Sequence, residues 1–218
     1  TASRLLITGE SGTGKDFVAK EIHLNSLYKD GPFIVINASL LEPEGIENEL
    51  FGVELNGLIK HTGFFEKANK GTLYIDEVGE MPIQTQIKIL RVLTDQSFTR
   101  MGGDKIINIE TRIIASSTKD LLLAIENNQF RKDLYHRLNV VELNLPKLVD
   151  RLEDLDELID YFTKNFCKEN GVSNKNIISK IKDKYLHYDW PGNIRELKNN
   201  IERELIIGEK HDLSNNND

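Results

Sequence analysis

Nine residues near the start of the chain, Gly9-Glu10-Ser11-Gly12-Thr13-Gly14-Lys15-Asp16-Phe17, hold the first chemistry this sequence offers. A glycine, four residues and then Gly-Lys is the spacing of a phosphate-binding loop. The glycines let backbone N–H groups turn inward, and the lysine reaches the β- and γ-phosphates. The residue after that lysine usually carries a hydroxyl for Mg²⁺, but here it is a carboxylate, Asp16. The second signal is TLYIDE, Thr72 to Glu77, an apolar run that ends in two acids. Asp76 at the end of such a strand can hold Mg²⁺, directly or through water. Glu77 can polarise a water for attack on a γ-phosphate. Taken singly, the first stretch reads as a glycine-rich turn and the second as a solvated acidic turn. Together they predict an ATP site served by Mg²⁺.

The elements that must position these groups follow from hydrophobic pattern. Arg4 to Thr8 reads as a short buried strand entering the glycine loop, and Phe17 to Leu27 as the helix leaving it. Phe33 to Asn37 (FIVIN), Thr72 to Ile75, Thr111 to Ser116 and Asn139 to Leu145 read as four more strands. Glu47 to Phe51 reads as helix, and Gly52 to Gly63 as a loop. Pro82 opens a helix with Ile83, Ile87, Leu90 and Leu93 on one face. Past Pro146 the strands stop. Leu152, Leu155, Leu158, Ile159, Phe162 and Phe166 form one apolar stripe, and shorter helices are expected around Ile178 to Tyr188 and Asn193 to Ile207. Asn193 and Glu196 suit a capping box, and Trp190 suits a helical core. Strands alternating with helices imply an α/β unit with a parallel five-stranded sheet, followed by a small α-helical lid. The expected division is 1–145 for the nucleotide-binding part, 146–210 for the lid and 211–218 for a polar tail.

Composition narrows the setting. The formal charge of −7 argues against a surface that binds nucleic acid throughout. Cys167 is the single cysteine, so no intrachain disulfide can form and a reducing cytoplasm is the expected location. The five histidines show no metal-ligand spacing. No apolar run approaches the roughly 20 residues that span a bilayer, so no membrane partner is expected.

From these motifs the chain resembles the central AAA+ ATPase domain of the NtrC group of bacterial response regulators, which act on sigma-54 RNA polymerase. The resemblance rests on GESGTGKD, on ENELFG at Glu47 to Gly52 and on GTLYIDEVGEMP at Gly71 to Pro82. It continues through ILRVL at Ile89 to Leu93, FRKDLYHRLNVV at Phe130 to Val141 and WPGNIREL at Trp190 to Leu197. It implies an AAA+ P-loop fold, ATP and Mg²⁺ as ligands, and self-assembly into a ring. The family's own loop commonly has an acid after the lysine, which places Asp16 close to its variant. Glu10, Ser11, Gly12 and Thr13 are carried over with Gly9, Gly14, Lys15 and Asp16 as the phosphate loop. Asn37 matches the residue that holds the catalytic glutamate until a partner engages. Arg131 and Arg137 match arginines placed at a neighbouring subunit's nucleotide, and Arg195 matches the lid arginine. Ser117-Thr118 stands where the family often has Thr-Asn, with Thr118 as a hydroxyl facing phosphate or water.

Two departures matter. Sigma-54 activators of this family carry a loop bearing Gly-Ala-Phe-Thr-Gly-Ala between ENELFG and the acidic strand. This chain has a shorter VELNGLIKHTG, Val53 to Gly63, without that hexapeptide. Leu58 and Ile59 are expected to pack locally, with an exposed apolar tip as the alternative, and Phe64 and Phe65 to re-enter the core. The shortening resembles the NtrX branch, so engagement of sigma-54 through the usual loop is not expected. The receiver, the helix-turn-helix and the adenine-clasping segment of the family are also absent from these residues, which implies a domain of a longer regulator that reaches DNA through another part. The expected function is an ATP-hydrolysing module of a two-component transcription regulator. The alternative is a nucleotide-gated oligomerisation scaffold with little turnover. A clamp-loader or helicase-loader subunit is a third possibility, against which ENELFG and WPGNIREL argue.

Overall fold

The computed structural model describes residues 3–171 and 188–215, so the helix expected around Ile178 to Tyr188 falls on residues outside the described set. Contacts divide the chain into two compact units. One comprises Thr1–Gly9 and Lys15–Asn144; the other comprises Leu145–Asp218 together with the short loop Glu10–Gly14.

The first unit contains nine strands among the described residues: β1 (Leu5–Thr8), β2 (Phe33–Asn37), β3 (Val53–Leu55), β4 (Leu58–His61), β5 (Thr72–Asp76), β6 (Ser97–Thr99), β7 (Ile106–Asn108), β8 (Arg112–Ser117) and β9 (Val141–Asn144). Its helices are α1 (Lys15–Leu24), α2 (Pro43–Phe51), α3 (Phe64–Lys67), α4 (Ile83–Asp95), α5 (Leu121–Glu126) and α6 (Lys132–Leu138). Five strands form one parallel sheet in the order β2-β5-β8-β1-β9. The central strands β5 and β8 are buried along nearly their whole lengths. That is why they read in sequence as continuous apolar runs rather than alternating ones. The core gathers Leu6, Leu73, Ile75, Ile113 and Ala115 from the sheet with Ile89, Val92, Leu93, Leu134 and Leu138 from the helices.

Helix α4 turns a different face inward from the one its aliphatic spacing predicts. Its buried positions are Thr85, Gln86, Ile89, Val92 and Leu93, whereas Ile83, Ile87 and Leu90 are only partly covered. A polar pairing explains the rotation. Gln86 donates through Nε2 to the carbonyls of Met81 (2.8 Å) and Gln129 (3.0 Å), and its Oε1 accepts the Arg131 N–H at 2.9 Å. A buried amide satisfied on both ends holds this helix against the chain entering α6.

The segment expected as a loop is a hairpin. β3 and β4 pair antiparallel across Asn56-Gly57, whose φ values of 52° and 74° are both positive. This is the backbone of the two-residue turn that Asn-Gly favours. A second hairpin, β6 with β7, lies beside it. The two are joined by Glu54 N–H to Met101 O and by Met101 N–H to Gly52 O, each 2.9 Å. Arg100, only 7% exposed, donates to Glu54 at 3.0 Å and to Glu66 of α3 at 2.8 Å. Phe65 is fully buried beyond the hairpin, but Leu55, Leu58 and Ile59 are 56%, 63% and 54% exposed. The expected local packing of Leu58 and Ile59 is therefore not found: as neighbours in one strand they point to opposite faces, and the short ribbon covers neither of them.

In the second unit a 3₁₀ stretch, Leu148–Asp154, leads into α7 (Leu155–Asn170), which ends at Gly171 with φ 70°. The last helix is α8 (Asn193–Asn215). Leu148, Leu155, Ile159, Trp190, Leu197, Ile201 and Leu205 make a separate core. No helix among the described residues is long and apolar enough to cross a membrane.

Arg100→Ala would leave Glu54 and Glu66 facing each other without their shared cation. The expected loss of unfolding free energy is about 3 kcal/mol, read by urea denaturation. A loss below about 0.5 kcal/mol would show that the paired hairpins stand without it.

Candidate active site

Parallel pairing puts the ends of the sheet strands side by side. Asn37 ends β2 opposite Asp76 of β5, and Thr8 ends β1 opposite Ser117 of β8. The carboxyl end of a parallel sheet is where such folds collect their chemistry. Asp76 receives two hydrogen bonds, from Asn37 to Oδ2 at 2.7 Å and from the Ser116 hydroxyl to Oδ1, and the Tyr74 hydroxyl, whose single proton Asp16 also approaches, lies 3.1 Å from Oδ1. An ionised carboxylate offers about four acceptor positions, so capacity remains for a cation or a water.

Glu77 follows in the left-handed conformation, φ 53°, uncommon for a residue with a side chain and a form of local strain that collects at functional positions. Thr118 donates to its Oε2 from both N–H (2.9 Å) and Oγ1 (2.8 Å). Its Oε1 lies 4.0 Å from Lys15 Nζ. Lys15 is buried and also donates to the Gly9 carbonyl at 2.9 Å. The expected contact from Asn37 to Glu77 is not made. Asn37 sits in register with Asp76, one residue earlier, and a short amide reaches its own cross-strand neighbour. Thr118 holds the glutamate instead.

Tyr74 was not singled out from sequence, nor was Ser116. The Tyr74 ring is fully buried in β5, and its hydroxyl lies 2.9 Å from Asp16 Oδ1, 3.1 Å from Asp76 Oδ1 and 3.0 Å from Ser116 Oγ. Burial first, then the charges of Asp76 and Asp16, push this phenol far above its ordinary range, so it keeps its proton. The available signal was a hydroxyl-bearing aromatic inside an otherwise apolar strand.

The two arginines of the FRKDLYHRL stretch differ. Arg131 is partly exposed and makes a two-pronged ion pair with Asp133, at 3.0 and 2.6 Å. Arg137 turns inward: it donates to the Leu93 carbonyl near the end of α4 at 3.1 Å, a carbonyl it shares with Arg4 at 2.9 Å.

Within the second unit, loop Glu10–Gly14 is bound by its carbonyls. Arg151 donates to Thr13 O (3.0 Å), Asn193 to Ser11 O (3.0 Å) and the Arg195 N–H to Gly12 O (3.2 Å). The Arg195 guanidinium meets Ser11 Oγ at 2.9 Å, Thr13 Oγ1 donates to Glu10 O at 2.8 Å, and Lys147 pairs with Glu10 at 2.7 Å. The Lys147 hydrogen bond holds the Glu10 carboxyl below its ordinary range. Gly12 has φ 81°, and a Cβ there would sit 2.3 Å from the Gly192 carbonyl, so only glycine fits. Asn193 does not act as the expected cap. Fully buried at φ 51°, it accepts the Leu148 N–H at 2.8 Å, while Glu196 reaches back to the Gly192 N–H at 2.8 Å.

These residues fit a magnesium nucleotide. Asp16 and Asp76 provide oxygen donors of the kind Mg²⁺ takes while keeping several waters. Lys15 provides a buried cation beside them.

Comparison with known proteins gives the chain's relatives. The Sigma-54 interaction domain family matches residues 1–144, and the AAA+ ATPase lid domain family matches 149–217. The nitrogen assimilation regulatory protein NtrX of Azorhizobium caulinodans is 43% identical over 208 residues, 95% of this chain and 46% of that protein. The crystal structure of NtrX from Brucella abortus in complex with ADP superposes with a TM-score of 0.90 at 43% identity, over 95% of this chain and 46% of that one. The same protein in complex with ATP gives 0.87 at 43% identity, over 95% and 48%. The chain thus spans just under half the length of these relatives.

Asn193→Ala removes the acceptor of a buried N–H and forces alanine into a left-handed backbone. Urea denaturation should show a loss of about 2–3 kcal/mol. Asn193→Gly, which relieves only the backbone, should lose about 1 kcal/mol less. Equal losses would assign the whole effect to the hydrogen bonds.

Proposed function

This chain belongs to the Sigma-54 interaction domain family, and on that footing we propose that it binds ATP with Mg²⁺ and hydrolyses it in a ring of like subunits, as the motor module of an NtrX-like cytoplasmic transcription regulator. The observation that carries the reading is Glu77: strained in backbone, set at the end of β5 one residue after Asp76, and held by Thr118 through one oxygen. Its other oxygen lies beside Lys15. That leaves Oε1 to accept a proton from an attacking water once Lys15 turns to phosphate.

Lys15 neutralises phosphate charge. The loop carbonyls of Ser11, Gly12 and Thr13, taken up by Asn193, Arg195 and Arg151, keep the loop in one shape. Asp76, fixed by Asn37 and Ser116, would hold the metal through its remaining lone pairs. A bound Mg²⁺ would supply positive charge against the phosphates. Arg131, partly exposed and with its side chain paired among the described residues to its neighbour Asp133, supports a role in trans at a second subunit's nucleotide. Arg137, occupied at the end of α4, supports a structural role.

In the regulator, the hairpin β3–β4 bears on the partner. It closes in a two-residue Asn-Gly turn and offers aliphatic Leu55, Leu58 and Ile59, with no aromatic at its tip. This supports regulation that does not pass through stable contact of the hairpin with sigma-54. Any DNA contact belongs to other parts of the regulator.

One set of assays tests the chemistry. Lys15→Ala should weaken ATP binding at least tenfold, whereas Glu77→Gln should bind ATP normally and lose about 10²- to 10⁴-fold in turnover. Wild-type specific activity should climb with protein concentration, and Arg131→Ala should flatten that climb. A concentration-independent activity in a protein that light scattering finds monomeric would refute the ring; nucleotide-dependent assembly with negligible turnover would favour the scaffold instead.

For the partner, a pull-down with sigma-54 and ADP–metal fluoride should recover no complex. A variant with the Gly-Ala-Phe-Thr-Gly-Ala loop grafted between Gly52 and Gly63 should gain binding. Capture by the unmodified chain would overturn this part of the reading.

A further inference from the structure

Asp16 stands where a phosphate-binding loop normally carries a small hydroxyl residue. A carboxylate is larger and charged, and it sits close to a second one: its Oδ1 and Oδ1 of Asp76 both lie within hydrogen-bonding reach of the same atom, the Tyr74 hydroxyl, at 2.9 and 3.1 Å. Like charges gathered around one point repel unless a donor or a cation lies between them. The donor count there is small. Ser116 Oγ–H is committed to Asp76, and Asn37 serves the far oxygen of that residue. Among the described residues Tyr74 is the one side chain that hydrogen-bonds Asp16. The Tyr74 proton is therefore what restrains Asp16, which otherwise stands exposed in the first turn of α1.

We propose that Tyr74 is a positioning residue for the metal: its hydroxyl holds the Asp16 carboxylate next to Asp76, so that the pair does the work of the missing loop hydroxyl. The proposal rests on the ATP–Mg²⁺ reading above. Phenylalanine at position 74 would preserve the ring packing against Phe33 and delete only the oxygen. Asp16 would then swing free, and a cation would have to order it on binding, at the cost of the rotamer freedom that Tyr74 removes beforehand. A purely structural Tyr74 would affect melting but would leave metal dependence alone.

The test is equilibrium binding of a fluorescent ADP to wild type, Tyr74→Phe, Asp16→Ser and the double variant, each titrated with Mg²⁺ from an EDTA-treated start. Circular dichroism melts confirm that each protein is folded. Tyr74→Phe should raise the Mg²⁺ concentration at half-effect about tenfold. In the Asp16→Ser background, which restores a hydroxyl and removes the carboxylate that Tyr74 holds, the same substitution should change it less than twofold, because coupled residues are not additive. A Tyr74→Phe protein whose Mg²⁺ dependence stays within twofold of wild type overturns the proposal, as does an equal shift in both backgrounds. Loss of folding in Tyr74→Phe would also count against it, since the oxygen would then be structural. A wild type that binds ADP neither with nor without Mg²⁺ would refute the nucleotide reading itself, an outcome distinct from the others.

Discussion

The register of three parallel strands is the constraint on which the active end of the first unit depends. Asn37 faces Asp76 because Phe33 pairs with Thr72 four residues earlier, and Ser116 reaches Asp76 because Ile75 pairs with Ala115. A slip of one residue would turn every side chain of a strand to the opposite face. Tyr74 and Asp76 would then exchange surroundings with Leu73 and Ile75, and a carboxylate would enter the apolar core. Burial of Leu73 and Ile75 at full depth opposes that slip. The same apolar contacts that stabilise the sheet therefore align the polar edge.

That edge is organised by donors rather than by cations. Asn37 and Ser116 donate to Asp76, Tyr74 bridges Asp76 and Asp16, Thr118 donates to Glu77, and Lys15 lies beside Glu77. Neutral donors fix a carboxylate without cancelling its charge, so its attraction for a metal or a proton is kept. The strained backbone of Glu77 is compatible with this, since its side chain is tied at one oxygen while its N–H meets Ser116 Oγ at 3.3 Å. In the second unit the same logic appears with the main chain as the target: arginine and asparagine groups occupy the loop's carbonyls and hold a glycine-rich segment that would be conformationally free by itself.

The hairpins follow a different rule. Two short ribbons are marginal alone in water. They are secured by backbone pairing through Met101 and by the buried Arg100 ion pairs, which connect residues 34 and 46 apart in the chain. The result is a braced ribbon with exposed aliphatic side chains, Leu55 and Leu58 across from each other beside the turn and Ile59 on the opposite face. This is a different object from a long glycine-flanked loop, although both occupy the same place in the sequence.

Sequence by itself determined the sheet strands, the phosphate-loop spacing, the acidic strand end and the helical second part. Each is written in local pattern: β-branched runs covered on both faces, glycines at set spacing, apolar residues on one side of α7. Trp190 was legible as core for the same reason. Tertiary structure alone decided which polar groups met. Thr118 and Glu77 lie 41 residues apart, Asn37 and Asp76 39, Tyr74 and Asp16 58. No periodicity encodes such pairs, and a shift of one residue in register changes the partner, as Asn37 does in reaching Asp76 rather than Glu77. The rotation of α4 is not written in the aliphatic spacing, because a satisfied glutamine, Gln86, takes a buried place that this spacing assigns to an isoleucine. The hairpin turn was visible as Asn56-Gly57, but its strands of three and four residues were too short to carry alternation, and pairing with the neighbouring ribbon gave them their form.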